Sequence, residues 1–253
     1  MATRMAMAPG GNLSEVFEVE AAREAAYRFV RNPSIDSKEL SRAAARATAA
    51  RCFGHGMVYV PVDGSSLNLP DPNGTRGMGR IGTAGKGAQG LQLMTAIAAD
   101  SDGVPIGICG QRYWSRRKPV GLKANAYDAR PHCKRESRYW LDVIDGVAEN
   151  FRKHAPSTKP FFQLDRGGDD WRVLAYAVDN DVLLTTRAAH NRRIGDTYLW
   201  PAMAATEPQC SYVIEVAGGP VRQARCATVQ VQFRALTINV RDRQSGQVEA
   251  LTL

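Results

Sequence analysis

Residues 57–66 have the sequence Met-Val-Tyr-Val-Pro-Val-Asp-Gly-Ser-Ser, an apolar run that stops at Asp63 and is followed by a turn-forming glycine. A second run, Pro-Phe-Phe-Gln-Leu at 160–164, stops in the same way at Asp165 and is followed by Arg-Gly-Gly. Short apolar runs bounded by turn residues are typical of buried β-strands. If the two strands lie side by side in one sheet, both carboxylates come to the same edge of that sheet.

The segments around these two strands alternate between helical and strand patterns. Helices are expected at 14–31, 37–52, 134–154 and 169–180, a β-hairpin at 91–99 and 104–114, and a further strand at 182–186. Residues 65–89 contain six glycines and little periodicity, so we expect a loop there. The order of elements predicts a mixed α/β sheet. After Pro201 the segments 212–216 and 228–240 are β-like. We therefore expect three regions, at 1–56, 57–200 and 201–253.

The composition is that of an ordinary globular protein, with 253 residues of which 44% are hydrophobic and 23% charged. The longest mostly apolar run, Leu91–Ala99, is shorter than the about 20 residues needed to span a bilayer. Residues 1–11 lack the apolar segment of a signal peptide. Five cysteines and four histidines are scattered without the spacing of a zinc site or a disulfide framework. Motifs of P-loop NTPases, α/β-hydrolases and zinc proteases do not occur. A cytoplasmic location is expected.

Basic residues are concentrated in one stretch of the chain. Residues 112–138 contain nine basic and two acidic residues, a net +7 against +8 for the whole chain. Tyr113, Trp114 and Tyr127 lie among these charges. Lysine and arginine neutralise phosphates, and aromatic rings stack on unpaired bases, so the stretch favours a nucleic-acid partner. The alternative is a solvated loop whose aromatic side chains pack back on the core.

The two strand-end aspartates are candidate metal ligands. Neighbouring carboxylates repel each other, and a shared divalent cation relieves that repulsion. Mg²⁺ takes oxygen ligands, and a pair of such ions about 3.5–4 Å apart can clamp both the attacking and the leaving oxygen of a phosphodiester. Asp63 and Asp165 are therefore candidate catalytic ligands of Mg²⁺ or Mn²⁺. The alternative is that they only form turns, as strand-end aspartates commonly do. Asp169 and Asp170 are expected to cap the following helix rather than to bind metal.

Several segments, taken in order, resemble bacterial insertion-sequence DDE transposases of the IS-four group, in the Tn-five-like branch. The matching segments are Tyr27–Pro33, Asp63–Leu67, Lys134–Ser137 with Trp140, Asp165–Asp169, and Arg187. They span about residues 21–197, and their joint order and spacing is more specific than any one motif.

The resemblance implies an RNase H-like core that binds Mg²⁺, cuts transposon ends and joins them to target DNA as a homodimer in the bacterial nucleoid. Asp63 and Asp165 would be the first two acids of the catalytic triad. Arg187 would contact the DNA backbone, and Arg166 would support the site. The basic stretch adds four candidate DNA contacts, which are Arg112, Arg116, Arg117 and Lys118.

The sequence also departs from this family. The pattern Tyr-x-x-Arg-x-x-x-Glu-x-x-x-x-x-x-Lys, which carries the third acid, does not occur, and Glu215 and Glu249 lack its neighbours. Tyr27 lies nearer the start of the chain than in relatives. We therefore expect a copy truncated at both ends, with 1–56 a helical remnant of a DNA-binding region and 201–253 an incomplete β-rich insertion. The expected function is a DDE transposase that lacks its third acid. The alternatives are a non-enzymatic DNA-binding remnant, an inhibitor of a full-length relative, and a decayed gene product.

Overall fold

The computed structural model describes residues 1–8, 10–82, 88–116, 136–241 and 248–252. The α-helices in these residues are α1 (Ala2–Met7), α2 (Leu13–Val16), α3 (Glu20–Arg31), α4 (Ser37–Arg51), α5 (Arg138–His154), α6 (Trp171–Asp179) and α7 (Leu199–Ala204). The strands are β1 (Met57–Asn68), β2 (Gly79–Arg80), β3 (Gln89–Ala99), β4 (Pro105–Trp114), β5 (Lys159–Leu164), β6 (Leu183–Thr186), β7 (Arg193–Ile194), β8 (Thr197–Tyr198), β9 (Cys210–Val216), β10 (Arg225–Val231), β11 (Thr237–Arg241) and β12 (Val248–Thr252). None of the described helices is long and apolar enough to cross a bilayer.

Six strands form the central sheet. From the β4 edge its order is β4-β3-β1-β5-β6, and the short β2 also pairs with β3. Strand β3 is antiparallel to both of its neighbours, β1 and β4, whereas β5 is parallel to β1 and β6 is parallel to β5. Three antiparallel strands followed by two parallel ones is the order of an RNase H-like sheet. The predicted fold class, a mixed α/β sheet flanked by helices, is confirmed.

One face of the sheet is covered by helices α4, α5 and α6. Val58, Val60 and Val62 of β1 are at most 2% exposed on this face, because alternate side chains of a strand point to the same side. The same hydrophobic cluster contains Val143 and Val147 of α5. We call this side the covered face. The opposite side, which carries the alternating residues of β1, is called the open face.

Strand β1 is longer than the sequence predicts. The apolar run ends at Val62, but the strand continues to Asn68 because residues 63–68 keep an antiparallel ladder with residues 90–95 of β3. Backbone pairing thus overrides the low strand preference of Gly64 and the serines that follow. The predicted loop at 65–89 is therefore wrong at its start, and it also contains the short strand β2.

The first predicted helix is divided. Residues 14–31 form α2 and α3, separated at Phe17, whose backbone leaves the helical region at φ −117° and ψ 79°. Phe17 is 4% exposed and lies beneath the guanidinium of Arg4, 6.0 Å from the ring centroid. Burial of this ring stabilises the position of the break. Helix α2 begins with a capping box between Asn12 and Glu15.

The C-terminal part is β-rich, as the sequence indicates. Strands β9 and β10 form one antiparallel hairpin, and β11 and β12 form another. The second hairpin contributes Ile238 and Leu251 to a small cluster with Leu174 and Ala175 of α6. The sequence pattern alone did not resolve the short helix α7 or the hairpin of β7 and β8.

Candidate metal and DNA site

The structure brings Asp63 and Asp165 together at the middle of the sheet. Val62 of β1 is paired with Leu164 of the parallel strand β5, and each aspartate is the next residue of its chain segment. Neighbouring strands lie about 4.8 Å apart, so the two residues emerge side by side. Both aspartates are exposed.

The strand order explains why the site forms there. From β1 the chain builds β3 and β4 on one side, and it then returns through α5 to place β5 on the other side of β1. The boundary between β1 and β5 is therefore the point at which the strand order reverses. In open α/β sheets ligands bind outside the carboxyl ends of the strands at such a point. Asp63 and Asp165 follow the last paired residues of that boundary.

Each carboxylate is anchored by a nearby backbone amide. Asp63 Oδ1 accepts a hydrogen bond from Gly64 N at 2.7 Å, and Asp165 Oδ1 accepts one from Gly167 N at 2.7 Å. A Cβ atom at Gly167 would lie 3.0 Å from Asp165 Oδ1 and 3.0 Å from Cζ2 of Trp140, so the first turn of α5 packs directly behind Asp165. Among the described residues the Oδ2 atoms accept no hydrogen bond. One oxygen of each carboxylate thus holds its orientation, and the other is left for a ligand.

Arg187 flanks the carboxylates on the β6 side. Leu164 is paired with Thr186, so Arg187 follows β6 just as Asp165 follows β5. Its backbone N–H donates to Leu164 O at 3.2 Å, and Thr186 Oγ1 donates to Asp165 O at 3.2 Å. Arg166 begins a short 3-10 turn, Arg166–Gly168, directly after Asp165 and is exposed.

Thr95 and Gln111 flank the carboxylates on the other side. Asp63 is paired with Thr95 of β3, which in turn is paired with Gln111 of β4. Directly opposite residues share one face of a sheet, so these side chains extend the line of the carboxylates across the open face. We call the line Arg187, Asp165, Asp63, Thr95 and Gln111 the polar row. Sequence reasoning missed Thr95 and Gln111.

Two of the other predicted DNA contacts, Arg112 and Arg116, have partners away from the polar row. Arg112 is on the covered face, with its guanidinium 5.5 Å from the ring centroid of Tyr139. Arg116 makes a two-pronged ion pair with Glu136, with Nε 2.7 Å from Oε1 and Nη2 2.7 Å from Oε2. Arg117 and Lys118 fall in 117–135, outside the described residues. Arg112 and Arg116 are therefore not part of the polar row.

Asp169 has a different role from the one expected. Asp170 caps α6 by accepting a hydrogen bond from Arg172 N at 3.0 Å, as predicted. The side chain of Asp169 is instead 1% exposed, with Oδ1 2.6 Å from Nη1 of Arg192. Its Oδ2 accepts from Ala189 N at 2.6 Å. Asp169 therefore ties the loop after β5 to the segment that follows Arg187.

The donor set suits a hard divalent cation. Mg²⁺ is usually held by one or two carboxylates, with water and substrate phosphates completing an octahedron. Asp63 and Asp165 supply that number of carboxylates, and no third histidine, cysteine, aspartate or glutamate joins them within the described residues. The buried Cys109 does not offer a nucleophile, because burial raises the pKa of its thiol to about 12. The two carboxylates could therefore hold one such cation.

Comparison with known proteins gives distant structural similarity alone. No protein-family model and no curated protein matches the sequence. A piggyBac transposase synaptic complex with hairpin DNA aligns with 99% of this chain and 49% of its own, at 10% identity and a TM-score of 0.38. A Mos1 strand transfer complex aligns with 74% of this chain and 57% of its own, at 14% identity and a TM-score of 0.27. A pre-cleavage Mos1 transpososome aligns with 74% of this chain and 58% of its own, at 14% identity and a TM-score of 0.26. The chain thus spans about half the length of these proteins. Similarity of this degree does not transfer their functions.

Proposed function

We propose that this chain is the catalytic-core part of a DDE-type transposase, acting on DNA by Mg²⁺-dependent phosphoryl transfer. The observation that carries the proposal is the pairing of Val62 with Leu164, which sets Asp63 and Asp165 side by side where the strand order reverses. The sequence resemblance to the Tn-five-like branch points to the same two residues.

The residues of the chain have three roles in this proposal, which are to hold the cation, to orient the carboxylates and to bind a phosphate. Asp63 and Asp165 hold the cation, and the amides of Gly64 and Gly167 keep both carboxylates in place. Arg187 binds a phosphate next to the one that reacts, since arginine recognises phosphate oxygens in a fork geometry. A bound Mg²⁺ lowers the pKa of its water and stabilises charge on the phosphoryl oxygens. The family's third acid has no counterpart in the sequence pattern, so we expect strand cleavage below about 1% of a complete site.

A nicking assay tests this proposal. The purified chain is incubated with supercoiled plasmid in Mg²⁺ or Mn²⁺, and weak nicking is expected to disappear in Asp63→Asn and in Asp165→Asn. Asparagine keeps an oxygen for the anchoring amide but removes the charge that holds the metal. Asp102→Asn, at the exposed turn between β3 and β4, is the matched control. Nicking that survives in both site variants contradicts the proposal.

The second candidate function is DNA binding without catalysis. The observation that favours it is the net +7 charge of residues 112–138. If this stretch is the DNA surface, alanine at both Arg117 and Lys118 is expected to weaken duplex binding. It is also expected to flatten the slope of log K against log[salt] by about 0.9 for each phosphate that the protein no longer neutralises.

The control for that measurement is alanine at both Arg152 and Lys153, two exposed basic residues at the far end of α5. An unchanged slope in the Arg117 and Lys118 variant would show that the stretch is not the DNA surface. Metal-independent binding with no nicking at all would favour the second candidate over the first.

A further inference from the structure

The polar row crosses five adjacent strands of the open face. Arg187 follows β6, Asp165 follows β5, Asp63 lies in β1, and Thr95 and Gln111 lie in β3 and β4. Four strand spacings of about 4.8 Å give a length of about 19 Å. That is about five nucleotide steps at the roughly 3.4 Å rise of a strand in duplex DNA, and fewer steps for an extended unpaired strand. The row is therefore long enough to contact a short run of nucleotides on both sides of the carboxylates.

Tyr113 stands beside the far end of this row. It is two residues beyond Gln111 in β4, so both side chains lie on the open face, while Arg112 between them lies on the covered face. Tyr113 is 45% exposed. It is directly opposite Leu93 in the edge pairing of β3 and β4. The edge strand thus presents an amide in line with the carboxylates and an accessible aromatic ring beside that line.

We propose that the polar row and Tyr113 form a track for one unpaired DNA strand. The reacting phosphate lies at Asp63 and Asp165, and Arg187 binds the phosphate on one side of it. Thr95 and Gln111 donate hydrogen bonds to the backbone on the other side, and the ring of Tyr113 stacks on the base that follows. The track rests on the proposed function, and it adds the path of the strand across the sheet and the residues that contact it.

The charges of the polar row make binding of a DNA strand depend on a divalent cation. Two carboxylates at the centre of the row repel a phosphate chain unless a divalent cation neutralises them. Binding along the track is therefore metal-dependent, in contrast to binding by the basic stretch, which needs no metal. An unpaired strand is required because the face of a base is available for stacking on Tyr113 only when that base is outside a duplex stack.

The experiment measures the affinity of the full chain for a labelled single-stranded oligonucleotide by fluorescence anisotropy, in Ca²⁺ and in EDTA. In Ca²⁺, Tyr113→Ala is expected to weaken binding by about 5- to 150-fold, the range for loss of one stacked base. Gln111→Ala is expected to weaken it by about 2- to 10-fold. Tyr113→Phe keeps the ring and is expected to bind like the unaltered chain. In EDTA all of these proteins are expected to bind equally.

Two controls separate the track from general DNA affinity. Tyr212→Ala removes a tyrosine that is 53% exposed in the β9–β10 hairpin, and no loss is expected. Asp63→Asn is expected to remove the Ca²⁺-dependent part of the binding and with it the effect of Tyr113→Ala.

The outcomes distinguish the track from the proposed function. If Asp63→Asn removes metal-dependent binding but Tyr113→Ala has no effect in Ca²⁺, the track is wrong and the metal site stands. If Ca²⁺ does not change the affinity of the unaltered chain for the oligonucleotide, both the track and the proposed metal site are wrong. An equal loss for Tyr113→Ala in Ca²⁺ and in EDTA places the ring on a different DNA surface and overturns the track. A protein segment covering the open face would likewise leave DNA binding unchanged in every variant.

Discussion

In the presence of Fe²⁺, ascorbate and hydrogen peroxide, radicals formed at a bound iron ion are expected to cleave the backbone of the chain at two places, near Asp63 and near Asp165. Fe²⁺ accepts oxygen ligands and can occupy a site built for Mg²⁺, and the radicals that it generates react with the nearest peptide bonds. Because the two aspartates are neighbours across β1 and β5, one bound ion reaches both segments. Mass spectrometry of the fragments locates each cut.

Asp63→Asn and Asp165→Asn are each expected to reduce both cuts together by more than about tenfold, since loss of one anionic ligand of two costs the cation more than about 1.4 kcal/mol. Added Mg²⁺ is expected to compete and protect the backbone. Asp102→Asn is again the control and is expected to leave both cuts unchanged. If removal of Asp63 spares the cut near Asp165, the two carboxylates do not share an ion.

Alanine in place of Asp169 is expected to lower the free energy of unfolding by about 3–5 kcal/mol, because it leaves Arg192 buried without its counter-charge. The side chains of Asp169 and Arg192 are 1% and 11% exposed, so little water reaches the place of the missing partner. Thermal unfolding followed by circular dichroism is expected to show a midpoint lowered by about 6–20 °C.

Two further variants test whether the loss of stability comes from the burial of the unpaired charge. Glu24→Ala breaks the exposed pair with Arg28, and it is expected to cost less than about 1 kcal/mol. The double replacement Asp169→Asn with Arg192→Met removes both charges. It is expected to cost less than the sum of Asp169→Asn and Arg192→Met measured singly, because no charge is left unpaired. Additive losses would show that the two residues act independently.

Local sequence patterns predicted the elements whose burial is regular. The alternation of Val58, Val60 and Val62 with more exposed residues marks β1, and the strand-end position of Asp165 marks the end of β5. Two parallel neighbours with matching ends were then enough to anticipate which carboxylates meet. The pattern did not predict the continuation of β1 past Asp63. That continuation depends on backbone pairing with β3 and not on the side chains of β1.

The pairing of Gln111 with Thr95 could not be predicted from the sequence, because the pairing of β3 with β4 is irregular. An unbroken hairpin extended from the pair Ala99 and Pro105 would place Cys109 opposite Thr95. Two bulges, between Ala96 and Ile97 and between Ala98 and Ala99, shift the register so that Gln111 takes that place. A bulge depends on local backbone geometry and leaves little trace in apolar periodicity. Asp169 was misjudged for a related reason, since its partner lies in a loop far along the chain.

The packing of Trp140 behind Gly167 gives this protein its own optical reporter. The indole is 7% exposed and touches the turn whose amide holds Asp165, so its fluorescence emission depends on the arrangement of that turn. Replacing the chain's other tryptophans by phenylalanine would leave Trp140 as the only indole. Occupancy of the carboxylate pair could then be followed in real time, without a label and without DNA.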